Sequence, residues 1–354
     1  MAVHFDRSRM AEVIERHELW WNHKLGRPLA FIEINNAHER PECGYPLLSQ
    51  ANCNDLGVDP EEIIRGYDAY LSGMEWAGDG FPHMDLDRFG PGIVAAFCEG
   101  AVLDNSSGRV WFFPAEKKHI SEIRAVYHPD NVWAKRIKQI IKTGVGFWEG
   151  KVLIGMPDLG GIMDIAASLV GTEDLLVYLI EEPDEVKRLL SEIQTAWYDA
   201  FDDMAGVLAP QGGYTDWSLA ASKKPSYITQ CDFSAMIGRD MFREFALDSL
   251  RVDTERLSNC MYHLDGPQAV RHLDALLTLD KLKSIQWIYG AGSPRPMSWL
   301  DLYKKIDAAG KLNVILGTPK EYLDVLNEIH GTPFSIHRLD KAHTDAVQKI
   351  IEAR

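Results

Sequence analysis

The strongest constraint on the fold is a regular alternation of short apolar segments with longer amphipathic ones, from about residue 150 onwards. Runs typical of β-strands lie at 152–156, 226–233, 259–264, 283–289, 311–316 and 334–338. Between and after them, helical spacing of apolar residues occurs at 183–204, 238–257, 267–277, 298–309, 319–330 and 340–353. Strands of about six residues that alternate with helices of about ten to twenty predict parallel βα units.

Seven or eight such units favour a closed (β/α)8 barrel, or TIM barrel, over an open doubly wound sheet. The glycine pair at 290–292 lacks the third glycine and the helix start of a dinucleotide-binding loop. Residues 6–25 have the pattern of an amphipathic helix, and 29–34 that of a first strand. We therefore predict an α/β protein with a single (β/α)8 barrel domain over 1–354, an N-terminal helical extension and a β-hairpin insertion near 100–128.

The charge balance narrows the classes of partner. The chain has 37 Lys and Arg residues against 52 Asp and Glu residues, a net charge of -15. Such an acidic chain argues against nucleic acid and anionic membranes as partners, because both need basic surface. The first sixteen residues are polar, no run approaches the roughly 18 apolar residues of a membrane helix, and the five cysteines form no CxxC motif. We therefore expect a cytoplasmic protein.

Candidate site residues are the polar residues that close the predicted strands, because barrel active sites form at the carboxyl ends of strands. These residues are Glu33, Asn35, Asp79, Asp232, His263, Asp265 and His337. His263 and Asp265 are two positions apart, so on a strand both side chains point to one side. They can ligate a divalent metal with His337 as a third ligand, or act as an acid/base pair. A buried histidine beside a helix-capping aspartate is the structural alternative.

Seven segments in order along the chain resemble motifs of the uroporphyrinogen decarboxylase superfamily, which also contains the corrinoid and coenzyme M methyltransferases. They lie at 155–161, 172–186, 231–237, 241–245, 262–266, 316–323 and 336–337. The segment Tyr-His-Leu-Asp-Gly at 262–266, for example, resembles the His-x-Cys-Gly motif of the methyltransferases. The resemblance implies a (β/α)8 barrel, in agreement with the alternation of strands and helices.

Two departures from the family motifs change the expected chemistry. Glu33 stands where the decarboxylases carry the first arginine of the segment that holds the substrate's carboxylates, which argues against uroporphyrinogen decarboxylation. Asp265 replaces a cysteine zinc ligand of the methyltransferases, so a thiolate zinc site of that type is not expected. A harder His/Asp/His site remains, with Glu33 or Asp232 nearby, and would polarise an ether or hydroxyl oxygen.

The resemblance thus implies a methyltransferase-like enzyme that moves a methyl group from a small O- or N-methylated substrate to a corrinoid protein. The chain has no Asp-x-His-x-x-Gly motif, so a separate partner would supply the corrinoid, and a homodimer is a further expectation. The expected cofactor is a divalent metal, zinc first. The assigned roles are catalytic for Glu33, Asp79, Asp232 and His263, substrate-binding for Asn35, Trp76, Trp287 and Tyr289, and metal-ligating for His263, Asp265 and His337.

The same candidate residues are consistent with two alternative functions. The carboxylate and histidine set also suits a metal-free decarboxylase or lyase that acts on a small acid. The loss of both the arginine segment and the cysteine ligands suits a barrel that binds a ligand without catalysis.

Overall fold

The computed structural model of the protein describes residues 2–44, 46–343 and 345–353. Its β-strands mostly fall where the apolar runs predict them. The strands in chain order are β1 Leu29–Asn35, β2 Glu75–Gly78, β3 His83–Met84, β4 Ala101–Asp104, β5 Trp111–Pro114, β6 Leu153–Ile154, β7 Tyr227–Gln230, β8 Cys260–Asp265, β9 Ser284–Ile288, β10 Leu312–Ile315 and β11 Phe334–Asp340.

The main sheet has seven strands in the order β2-β1-β11-β10-β9-β8-β7. Its neighbours pair in parallel, except that β2 runs antiparallel to β1 with Gly78 opposite Phe31. A second, two-stranded parallel sheet is formed by β3 and β6. The parallel strands therefore all end at the same edge, as the alternation predicts.

The predicted closed barrel is not one continuous hydrogen-bonded ladder across the residues that the structure describes. Two gaps remain, one between β1 and β3 and one between β6 and β7. Irregular backbone borders each gap: the Asp79 N–H, in the segment that leads to β3, donates to the Ala30 carbonyl of β1 (2.7 Å), and the Met156 N–H, after β6, donates to the Thr215 carbonyl in the segment before β7 (2.8 Å). The two parallel sheets are thus joined through irregular backbone on both sides.

Helices follow most of the parallel strands. They are α1 Arg7–Trp21, α2 Pro60–Ser72, α3 Val94–Phe97, α4 Val132–Trp148, α5 Ile162–Val170, α6 Thr172–Glu181, α7 Pro183–Leu208, α8 Arg239–Met241, α9 Leu247–Arg256, α10 Leu273–Leu276, α11 Leu300–Ala308, α12 Pro319–Leu326 and α13 Asp345–Ile351. A π-helical turn, Phe242–Ala246, joins α8 to α9, so the predicted helix at 238–257 is continuous but not regular. No helix in the described ranges is both long enough and apolar enough to cross a membrane.

Local sequence signals explain several helix starts. Asp6 caps α1 by accepting a hydrogen bond from the Arg9 N–H, and Pro183 occupies the first turn of α7, followed by two acidic residues. Thr318 and Glu321 form a capping box at the start of α12. These signals need no tertiary contact, so the sequence alone locates these starts.

Helix α1 lies against the amino ends of the parallel strands. His17 of α1 is fully buried, with Nε2 3.0 Å from the Asp79 carbonyl oxygen and Nδ1 accepting from the Ala221 N–H. Trp20 packs against Phe334, the first residue of β11. The predicted N-terminal helical extension is therefore present, and it covers the end of the sheet opposite to the strands' carboxyl ends.

The predicted hairpin near 100–128 is formed by β4 and β5, which pair antiparallel around the turn at 105–108. Its inner face packs on α5, where Phe112 is buried. The hairpin therefore stands beside the carboxyl ends of the strands.

Candidate metal centre at the carboxyl ends of the strands

Polar side chains gather at the edge where the parallel strands end, which is the usual place for ligands in sheets of this kind. The contributing residues are Glu33 of β1, Asp85 and Asp87 after β3, Asp158 after β6, Asp232 after β7, His263 and Asp265 of β8, Gln286 of β9 and Arg338 of β11. Three of them form a group on the β7–β8 side that could hold a metal ion. Others line a cavity on the β1–β3 side.

The group that could hold a metal ion, called the metal-binding group below, consists of Asp232, His263 and Asp265. The described part of the chain contains no other group of this kind. One ligand atom from each residue lies within 4.8 Å of the others. His263 and Asp265 point to one side because they alternate on β8, and Asp232 begins the 3₁₀ turn that follows β7. Two carboxylates and one imidazole are a hard ligand set that suits a divalent cation.

The orientation of the His263 ring is fixed by two neighbours. Its Nδ1 donates to Oε1 of Gln286 (2.7 Å), and Trp217 packs edge-on against the ring with centroids 4.8 Å apart. Because the amide oxygen only accepts, the other ring nitrogen, Nε2, keeps its lone pair for a ligand. Burial lowers the pKa of His263, so the imidazole is neutral and able to ligate at neutral pH.

The acidic residues here are crowded, and their pKa values are raised. Partial burial and then the Asp265 carboxylate raise the pKa of Asp232 to about 6. Burial and then the Asp232 carboxylate raise the pKa of Asp164, on α5, to about 7. Asp164 accepts hydrogen bonds from the N–H groups of Asp232 and Phe233, which holds the two acids close together. Carboxylates held this close without a nearby basic group favour a bound cation.

Trp217, which packs on His263, also lines the cavity on the β1–β3 side, which has a volume of about 430 Å³. Burial disfavours the charged form of His83, but the Asp85 carboxylate, 3.6 Å from Nε2, outweighs it and raises the pKa of His83. Burial and then the Asp232 carboxylate raise the pKa of Asp158 to about 8, so this acid carries a proton at neutral pH. The cavity is lined by Glu33, Tyr67, Tyr70, Leu71, Met74, His83, Asp85, Asp87, Arg88, Asp158, Trp217 and Arg338.

Of the predicted catalytic residues, Glu33 lies in this cavity, where Arg338 is 3.9 Å away. His83, Asp85 and Asp87 were not predicted, although the sequence carries a signal for them. In the pattern His83-x-Asp85, side chains two apart point to one side of an extended segment, and Asp87 begins the 3₁₀ turn that follows. The glycine-rich turn at 78–80, directly before them, instead predicted Asp79 as the site residue of this region.

The predicted place of Asp79 at the carboxyl end of a parallel strand is wrong. Asp79 follows β2, which runs antiparallel to β1, so it lies at the amino end of β1. Its fully buried carboxylate accepts from Arg16 Nε (2.7 Å), from both Arg27 Nη atoms (2.7 and 2.8 Å) and from the Ala30 N–H (3.0 Å). Asp79 therefore joins α1 and the Arg27 loop to the sheet, away from the candidate site.

The predicted metal ligand His337 is not brought to the group either. It is paired with Ile32 in the sheet, whereas the next residue, Arg338, is paired with Glu33 and lines the cavity. Successive side chains alternate between faces, so His337 points to the helix side, where its ring lies 5.2 Å from that of Tyr322. Burial lowers the pKa of His337 to about 4. The third residue of the metal-binding group is Asp232, in place of the expected His337.

The aromatic and amide residues predicted to bind substrate lie elsewhere. Trp287 is paired with Leu264 and packs on Trp299, on the face opposite to Gln286 and His263. Trp76 is buried against Phe5. The other two lie near strand ends without lining the cavity beside Glu33: Tyr289 beneath Arg295, and Asn35 near the Leu339 carbonyl.

Comparison with known proteins adds evidence on the fold. Neither the protein-family models nor the curated proteins match this sequence. The structure is similar to a solved structure described as a methyltransferase from Methanosarcina mazei, with a TM-score of 0.60. The alignment covers 96% of this chain and 97% of that chain at 10% sequence identity. At this identity the similarity concerns the fold.

Proposed function

We propose that this chain is a divergent member of the uroporphyrinogen decarboxylase superfamily and that it acts as a metal-assisted methyltransferase. It moves a methyl group from a small O- or N-methylated substrate to a corrinoid held by a separate partner protein. The observation that carries the proposal is the group of Asp232, His263 and Asp265 at the carboxyl ends of β7 and β8. In the resemblance, His263 and Asp265 occupy the positions of the methyltransferases' His-x-Cys ligands.

The proposal includes a single (β/α)8 barrel domain over residues 1–354. The bonds from Asp79 to Ala30 and from Met156 to Thr215 tie the segments between the two sheets to β1 and to the end of β6, which supports a closed arrangement. Strands β1, β3 and β6–β11 then act as the eight barrel strands, with β2 as an extra antiparallel strand. The similarity to the Methanosarcina mazei structure over 96% of the chain is consistent with one domain.

Asp232, His263 and Asp265 would hold the divalent metal, for which we propose zinc. Three protein ligands leave coordination positions open, and a metal bound there supplies a Lewis acid that polarises the heteroatom of the methyl donor. Gln286 orients His263, and Trp217 limits the access of water to the ring. On the other side of Trp217, His83 and Asp158 would hold and move protons at the departing heteroatom.

The metal part is tested by measuring zinc in the purified protein and after incubation with zinc chloride. We expect one zinc per chain, and we expect D232N and H263A to lose most of it because each removes a ligand. The exposed His128 provides the matched control, and H128A should keep the wild-type zinc content. Zinc content below one-tenth per chain in the wild type, or full content in H263A, would contradict the metal site.

The transfer part is tested with a panel of small methyl ethers and methylamines and with cob(I)alamin as acceptor. We expect methylcobalamin to form with at least one donor, followed by its absorbance, and formation to fall at least about 100-fold in H263A, in line with the loss of a catalytic metal. A normal zinc content without methylcobalamin formation from any donor would contradict transfer while leaving the metal site in place.

Metal-free acid/base catalysis is the second candidate, and the raised pKa of Asp158 favours it. An acid that keeps its proton at neutral pH is a ready proton donor for the decarboxylation or cleavage of a small acid. Turnover of any substrate that survives excess chelator, and that D158N abolishes, would support this candidate over methyl transfer.

A further inference from the structure

The hairpin β4–β5 presents aromatic side chains to solvent at the rim of the candidate site. Trp111 and Phe113 lie two residues apart on β5, so they share a face, and their exposed fractions are 57% and 51%. Phe112 between them is buried on the opposite face. In the described ranges these two are the only aromatic residues among the large hydrophobic side chains that are this exposed. A paired exposure of this kind marks a binding surface.

Hydrogen bonds and close packing fix the position of the hairpin on the rest of the protein. The Val110 N–H donates to Oε1 of Gln50 (3.0 Å), and the Asn105 amide donates to the Gln50 carbonyl (3.0 Å). Val110 also packs so closely on Gly90 that a Cβ at this glycine would lie 2.3 Å from a Val110 methyl. The aromatic face is therefore preorganised, and a ligand would not have to order it.

A cavity of about 320 Å³ separates this aromatic face from the metal-binding group. Its acidic lining residues are Asp164 and Asp232, and none of the described residues that line it is basic. The other lining residues are Pro91, Gly92, Val110, Trp111, Phe112, Phe113, Pro114, Ala167, Ser168, Gly171, Thr172, Gln230, Phe233 and Met236. Residues of the aromatic strand β5 thus line one side of the cavity and two aspartates line the other, and the cavity has room for a small molecule.

We propose that this cavity binds a small N-methylated ammonium cation, with its methyl groups against Trp111 and Phe113 and its charge beside Asp164 and Asp232. The inference goes beyond the proposed function: it assigns a methylammonium ligand to this cavity, whereas the departing heteroatom of the methyl donor is proposed to lie beside His83 and Asp158, which do not line it. Methylated ammonium groups offer few or no hydrogen-bond donors, so aromatic faces and carboxylates recognise them through cation–π and charge attraction.

The charges that line the cavity agree with such a ligand. The carboxylates of Asp164 and Asp232 line it and Asp265 lies beside Asp232, whereas none of the described lining residues is basic. A cation is attracted to such a cavity, and an anion would be repelled.

Calorimetric titration of the zinc-loaded protein with choline and with its uncharged isostere, 3,3-dimethylbutan-1-ol, tests the inference. The two probes share shape and hydroxyl but differ in charge. We expect choline to bind at least about tenfold more tightly than the isostere, and W111L to weaken choline binding by about 5- to 30-fold. W111F retains an aromatic face and should stay within about threefold of the wild type.

Equal affinity for the two probes, no measurable choline binding, or unchanged choline binding in W111L would each overturn the inference. Zinc titration of W111L separates this failure from failure of the proposed function, because Trp111 is not a ligand and zinc affinity should not change. D164N should weaken choline while retaining zinc, whereas D232N should weaken both. Choline binding that persists after zinc has been removed supports the cation cavity, and the metal site is then judged by the zinc measurements alone.

Discussion

Replacement of Asp79 by asparagine separates a structural carboxylate from a catalytic one. The asparagine keeps the shape of the side chain but replaces one oxygen with an NH2 group. That group would face the Ala30 N–H and an Arg27 Nη, both of which now donate to Asp79 Oδ2. The variant therefore loses two hydrogen bonds as acceptor and the charge that opposes Arg16 and Arg27.

The magnitude follows from the burial of the partners. Breaking a buried ion pair by removing one partner costs about 3–5 kcal/mol. The side chains of Arg16 and Arg27 are 29% and 35% exposed, so water stabilises the abandoned guanidinium groups in part. We therefore expect D79N to lower the free energy of unfolding by about 3 kcal/mol, at the lower end of that range.

Urea denaturation followed by circular dichroism measures this loss, and D248N is the matched control. Asp248 is 87% exposed, and its replacement should change the unfolding free energy by less than about 0.5 kcal/mol. D79N should keep the wild-type zinc content, because Asp79 lies at the opposite end of the strands. A D79N protein of wild-type stability, or one that is stable but loses zinc or methyl transfer, would refute the structural role.

The loss should also depend on pH. Burial opposes ionisation of Asp79, but the bonds from Arg27 and the Ala30 N–H outweigh it, and the pKa of Asp79 is lowered from 3.8. A lowered pKa stabilises the folded state above the unfolded pKa and loses that contribution as the pH falls through the folded value. The difference in stability between wild type and D79N should therefore be constant near neutral pH and should shrink below pH 3.8. A difference that grows on acidification would contradict the ion pair.

Three further predictions concern the metal centre and its surroundings. Gln286→Leu removes the partner of His263 Nδ1, so zinc affinity measured by competition with a chelating dye should fall about 10- to 100-fold. Zinc affinity should rise from about pH 5 to about pH 7, because the proposed ligand Asp232, with a pKa of about 6, loses its proton in that range; a flat profile would exclude Asp232 as a ligand. His337→Leu should keep the wild-type zinc content, because His337 faces Tyr322. Loss of zinc in this variant would instead support the set predicted from sequence, His263, Asp265 and His337.

The regular part of the fold could be predicted because its signals are local. The strands at 259–264 and 283–289 lie within one or two residues of β8 and β9, since apolar runs bounded by turns define them without reference to neighbours. The pairing of His263 with Asp265 on one face follows from strand geometry alone. The third residue of the group, Asp232, directly follows the neighbouring strand β7. Only the parallel topology of the sheet, not local sequence, brings it near His263 and Asp265.

The errors arose where a residue's position depends on strand direction or on the choice of face. No local feature of residues 75–78 shows that β2 runs antiparallel to β1. Because it does, Asp79 lies at the amino end of β1 and not at the carboxyl ends of the parallel strands. His337 and Trp287 lie on strands as expected. The alternation of side chains along a strand does not show which of its two faces points to the site and which to the helices. The burial of both residues is equally consistent with a pocket and with packing against helices.

The pairing of β1 with both β2 and β11 has a consequence for the synthesis of the protein. One edge of β1 finds its partner within the first eighty residues, so it is covered soon after it leaves the ribosome. The other edge waits for β11, and Trp20 in the helix before β1 reaches its partner Thr332 across 312 positions. The nascent chain therefore carries an open, apolar strand edge until β11 has been synthesised. Premature termination before β11 should leave an aggregating fragment rather than a smaller folded protein.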